Sequence, residues 1–150
     1  MRYVVNFSGG MCSWASARRI ADREGTANLT LLFADTLIED SDLYRFLDDA
    51  SRDIGVPITR LCDGRTPWEV FRDHRLIGNS RIDPCSQELK RRLLDRWHKQ
   101  NCDPADTVIV VGITWDEAHR FVRFKARMQE RGWKSEAPMC DEPYLLKSDI

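Results

Sequence analysis

Apolar residues along this chain follow two rhythms. Tyr3-Val4-Val5-Asn6-Phe7, Leu29-Thr30-Leu31-Leu32-Phe33-Ala34 and Thr107-Val108-Ile109-Val110-Val111-Gly112-Ile113 are short, nearly unbroken runs rich in β-branched and aromatic residues, and they predict strands buried on both faces. Pro57 to Cys62 predicts a shorter strand between the second and last of these. Elsewhere the spacing opens to three and four. Trp14, Ala15, Ala17, Ile20 and Ala21, followed by Gly25, predict a helix from Cys12 to Glu24. Leu43, Phe46, Leu47, Ala50 and Ile54, stopped by Gly55 and Pro57, predict a second, amphipathic one. Thr66-Pro67 reads as a helix start running to about Arg75, Ile77 to Pro84 as a loop, and Ser86 as the cap of a helix with Leu89, Leu93, Leu94 and Trp97 inward. Asp116 to Arg131 predicts a last helix, stopped by Gly132.

Buried strands alternating with helices predict one α/β domain over residues 1–150: an open, mostly parallel twisted sheet with helices on both faces, Rossmann-like. Ligands of such sheets bind beyond the carboxyl ends of the strands, where the strand order reverses. The loops after Phe7, Ala34, Cys62 and Ile113 are therefore where chemistry is expected.

Composition narrows the classes. With 42% hydrophobic residues the chain has the material for a core, and no run approaches the roughly 18 apolar residues of a membrane span. Met1-Arg2-Tyr3 leads into no secretory signal, so a cytoplasmic protein without membrane association is expected. The five cysteines include no Cys-x-x-Cys pair, which argues against a disulfide framework and a zinc ribbon. Cys85, His98 and Cys102 form one conceivable metal set, against the plainer reading of free thiols. The net charge of -1 hides a polarity: residues 35–55 carry seven acids against two bases, and residues 118–134 six bases against Glu130 alone.

Ser8-Gly9-Gly10-Met11-Cys12-Ser13 joins the first strand directly to a helix. Two glycines let backbone approach an anion closely, and the helix start adds partial positive charge, so the loop is built to cradle phosphate. It is neither a Walker A loop nor a Gly-x-Gly-x-x-Gly fingerprint, and alone it also reads as a tight turn.

Four segments in order carry a resemblance. The Ser8 to Ser13 loop is similar to the Ser-Gly-Gly-x-x-Ser pyrophosphate loop of the adenine nucleotide α-hydrolase, or PP-loop ATP pyrophosphatase, superfamily. Phe33-Ala34-Asp35-Thr36 with Glu39-Asp40, Cys85-Ser86-Gln87-Glu88-Leu89-Lys90, and Gly112 to Arg120 resemble segments of its phosphoadenosine phosphosulfate (PAPS) reductase-like branch, with Thr114 where arginine is common. The resemblance implies an adenine nucleotide, ATP or PAPS, lying across the sheet ends. Ser8, Gly9, Gly10, Met11, Cys12 and Ser13 would hold its phosphates, with Phe33, Asp35, Thr36 and Gly112 bordering the rest. It also implies Mg²⁺ and cleavage between the α and β phosphates, giving AMP or an adenylate that activates a further substrate, in sulfur transfer or nucleic-acid modification.

On those terms Asp35 is the carboxylate for the Mg²⁺ side or the ribose side, and Lys90 and Arg120 neutralise the leaving pyrophosphate. Lys90 beside Arg91 and Arg92 reads equally as a solvated face, and Arg120 as an ion pair at a helix start. Glu117 orients Arg120, serves as a base, or simply favours the helix N-terminus. The chain ends without the thiol-bearing motif of sulfonucleotide reductases, so a reductase would borrow its thiol from a partner. A non-catalytic nucleotide- or nucleic-acid-binding module, as a homodimer or a subunit of a complex, is the reading from another class. Arg120, Arg123, Arg127, Arg131 and Lys134, expected on one helix face, suit either water or a nucleic acid.

Overall fold

Alternation along each strand settles how the sheet is buried. In the computed structural model the described residues are 1–7, 10–35, 41–62 and 82–145, with the backbone alone for residues 82–89. Strands β1 (Arg2–Asn6), β2 (Leu29–Asp35), β3 (Ile58–Cys62), β4 (Thr107–Val110) and β5 (Lys134–Glu136) form one sheet in the order β3-β2-β1-β4-β5, every pair parallel. Tyr3 stands beside Leu29 and Val108, and that register puts alternate residues of neighbouring strands on a common face.

One face carries Val5, Phe7, Leu31, Phe33, Val108 and Val110. Helices α1 (Met11–Glu24) and α2 (Ser41–Ile54) cover it with Ala17, Ile20, Leu47, Ala50 and Ile54. The other face carries Val4, Leu32 and Ile109, covered by Leu94 and Trp97 of α3 (Ile82–Asn101) and by Phe124 and Met128 of α4 (Ala118–Glu130). Both faces are dry, which is why the strands read as unbroken apolar runs.

Several expectations need correction. α3 begins at Ile82, so Ile82 to Pro84 are helical rather than loop and Ser86 lies inside the helix. Proline in the first turn costs nothing there, because its missing N–H has no intrahelical acceptor. β4 ends at Val110 rather than Ile113; Val111 N–H still reaches the Glu136 carbonyl at 3.0 Å before the chain leaves the sheet. The last helix is entered through a 3₁₀ turn, Trp115–Glu117, and ends at Glu130. Lys134 therefore belongs to β5, a strand the sequence reading missed because Lys134-Ser135-Glu136 is an edge strand of three polar residues, and it shares no helix face with Arg120. The expected helix from Thr66 to Arg75 and most of the loop after Ile77 lie outside the described residues.

Candidate functional site

The strand order reverses at β1, whose neighbours are β2 on one side and β4 on the other, so the carboxyl ends of β1 and β4 flank the switch point. Gly10 caps α1 in an extended conformation, makes no side-chain cap, and no acidic residue sits in the first turn. The partial positive charge of this helix end therefore faces the sheet edge without a carboxylate of its own turn. Met11 is half exposed there, Cys12 half-buried and Ser13 buried. Gly112 closes the other side: a Cβ on it would lie 2.7 Å from the Ser13 nitrogen and 2.9 Å from the Cys12 carbonyl carbon. Only glycine lets the exit of β4 rest on the first turn of α1. The structure thus brings Gly10, Met11, Cys12, Ser13 and Gly112 together; Ser8, Gly9 and Thr36 lie outside the described residues.

Asp35 ends β2 with its side chain 2% exposed. Its carboxylate accepts from Tyr44 Oη at 2.8 Å and pairs with the Arg60 guanidinium at 2.5 Å. The pairing raises Arg60 above its ordinary pKa. Two residues earlier, Phe33 is buried, with its neighbours Leu32 and Ala34, beside a mostly apolar cavity of about 170 Å³ that Asn6, Phe7, Lys90 and Leu94 complete.

Lys90 and Arg120, distant in sequence on α3 and α4, line one cavity of about 360 Å³ that reaches Asn6 at the end of β1. Arg120 donates to Glu117 Oε2 at 3.1 Å, so of the roles open to Glu117, orienting Arg120 is the one this geometry serves. Sequence reasoning missed the floor of this cavity. His98 is 1% exposed, its Nε2 is 3.1 Å from Asn6 Oδ1, and its ring lies 5.8 Å from that of Trp133. Burial pushes its pKa down to about 4 against the opposing pull of Asp95, so the ring is neutral near pH 7, with the Nε2–H donating to the amide oxygen. The signal was Asn6 itself, a polar residue closing an apolar strand on the same face as Val4. With Nε2 turned to Asn6, His98 does not present that nitrogen to a metal. Among the described residues no three His, Cys, Asp or Glu side chains gather to hold one.

A strap beyond β5 completes the edge. Arg19 of α1 donates to the carbonyls of Pro138, Asp141 and Pro143 at 2.8, 3.2 and 2.7 Å. Trp115 Nε1 donates to the Leu145 carbonyl at 3.1 Å, and its ring lies 5.8 Å from that of Tyr144. Both aromatics are exposed.

A parallel five-stranded sheet in the order β3-β2-β1-β4-β5 with helices on both faces defines an open, Rossmann-like α/β fold. Two solved structures share it: the NH3-dependent NAD synthetase from Campylobacter jejuni subsp. jejuni NCTC 11168 in complex with the nitrate ion (14% identity, TM-score 0.54, covering 78% of this chain and 49% of that one), and the U34-tRNA thiolase NcsA from Methanococcus maripaludis with its [4Fe-4S] cluster (15% identity, TM-score 0.60, covering 95% and 52%). The chain spans about half the length of each, and at such identities the likeness is one of fold. No protein-family model and no curated protein matches the chain.

Proposed function

We propose that this chain binds an adenine nucleotide across the carboxyl edge of the sheet and cleaves ATP between its α and β phosphates to activate a second substrate. The observation that carries the reading is the convergence of Lys90 and Arg120 in one cavity at the end of β1, the strand that leads into the Ser8 to Ser13 loop. The fold it shares with a synthetase and a thiolase agrees with this, and the segments around Phe33, Lys90 and Gly112 favour the PAPS reductase-like branch.

In the proposed reaction a nucleophile of the second substrate attacks the α-phosphorus. Its bond to phosphorus forms as the bond to the α,β-bridging oxygen breaks, and pyrophosphate leaves with the electron pair. The N–H groups at the start of α1 and the Ser8 and Ser13 hydroxyls hold the phosphates, while Lys90 and Arg120 balance the charge that accumulates on the leaving group. Glu117 positions Arg120. The apolar cavity beside Phe33 takes the adenine.

Asp35, already paired with Arg60 and Tyr44, suits the ribose side better than the metal side, since its charge is largely spent. Among the described residues no three His, Cys, Asp or Glu side chains gather around Asp35 to hold Mg²⁺. The test is product analysis after incubation with ATP and Mg²⁺ and candidate acceptors. AMP and pyrophosphate are expected, with turnover reduced by roughly 10²-fold or more in Lys90→Ala and Arg120→Ala. ATP binding with no AMP under any condition would leave a binding module instead.

A further inference from the structure

The cavity at Asn6 holds two cations beyond the pair assigned to the leaving pyrophosphate. Arg91 and Arg127 line it as well as Lys90 and Arg120. Asp95 lines the cavity too and pairs with Arg131, while Glu117 pairs with Arg120. Arg127 is partly buried, and its Nε has no hydrogen-bond partner among the described residues. Burial first, and then Arg91 and Arg131, lower its guanidinium from the ordinary value, with Asp95 opposing. Arg127 and Arg91 are like charges partly withdrawn from water, and an oxyanion between the two guanidinium groups relieves their repulsion. Phosphate suits two guanidinium groups better than a carboxylate does, because its three or four oxygens accept from both at once.

We propose that the groove between α3 and α4 at Arg91 and Arg127 binds a phosphate group of the second substrate, a phosphate ester other than ATP. The inference rests on the adenine-nucleotide reading, because it takes Lys90 and Arg120 as already assigned to the nucleotide. Two sources share this chemistry: a phosphodiester of a single-stranded nucleic acid, continuing past the exposed Arg123 of α4, and the monoester of a small molecule.

The full chain, with its nucleotide site saturated by α,β-methylene-ATP, is titrated with inorganic phosphate, with uridine 5′-monophosphate and with a short single-stranded oligonucleotide. At least one of these probes is expected to bind alongside the analogue. The Arg91→Gln/Arg127→Gln double variant should lose about tenfold or more of that affinity and clearly less of its affinity for the analogue, since all four cations line one cavity but only Lys90 and Arg120 are assigned to the nucleotide. The charge-keeping Arg91→Lys/Arg127→Lys pair, checked by thermal melting like the first, should retain most of the binding. Oligonucleotide affinity falling steeply with salt assigns the diester, and binding of the monophosphate alone assigns the monoester. The inference is overturned if no probe binds, if the glutamine variant binds as the parent does, or if the analogue displaces every probe. If the analogue fails to bind, the nucleotide reading falls, and the same probes in its absence still decide the groove.

Discussion

At Gly112 a single methyl group has no room, because the atoms it would meet at 2.7 to 2.9 Å are backbone atoms of Ser13 and Cys12 rather than the end of a flexible side chain. Gly112→Ala must push the exit of β4 away from α1, and such overpacking costs about 1–3 kcal/mol. Chemical denaturation should show that loss, accompanied by weaker ATP binding; an alanine variant as stable as the parent would mean the contact is loose. His98 sets a second residue-scale expectation. Its folded pKa of about 4 lies below the roughly 6.5 of an unfolded histidine, so between those values the unfolded chain binds more protons and stability falls as pH is lowered from about 6.5 to 4. The full effect is on the order of 3 kcal/mol. His98→Gln, compared with the parent in urea titrations at pH 7 and pH 4.5, should flatten that dependence. Neither role was legible in the sequence: a histidine four residues from Cys102 looks like a ligand until its ring is seen against Asn6 and Trp133.

Elements were legible where burial makes a pattern. The runs at Tyr3, Leu29 and Thr107 became central strands because both faces are dry, and the three- and four-residue spacing before Gly25 and Gly55 became α1 and α2. Pattern failed where it is not hydrophobic. β5 is held instead by main-chain pairing to β4 and by Arg23, which bonds both oxygens of Glu136 at 2.6 and 3.0 Å. The strap after it depends on Arg19, a surface arginine by sequence whose guanidinium replaces water at three carbonyls. Arg19→Met keeps the apolar stem and removes those bonds, a loss of about 1–3 kcal/mol. The melting temperature should drop by roughly 3–8 °C, and an unchanged melt would show the strap secured by its other contacts.

The charge polarity of the whole molecule is resolved by the fold into separate jobs. In the basic segment Arg120 pairs with Glu117 and Arg131 with Asp95, and Lys134 leaves for β5, so the five-residue stripe expected from spacing is cut to Arg120, Arg123 and Arg127 on α4. What replaces it is a groove that draws cations from two helices, a convergence that one helix read alone cannot reveal. Of the candidate site, the helix start at Gly10 follows from glycine placement in sequence, whereas the close approach of Gly112 to α1 emerges only in the fold. The meeting of Lys90 with Arg120 required the packing of α3 beside α4 over β1. The central claim, that the switch point is an ATP-cleaving site acting between the α and β phosphates, is tested most directly by the fate of a label on the γ-phosphate. Incubation of the chain with γ-labelled ATP and candidate acceptors should release the label as pyrophosphate in step with AMP. Label released as orthophosphate with ADP would contradict it.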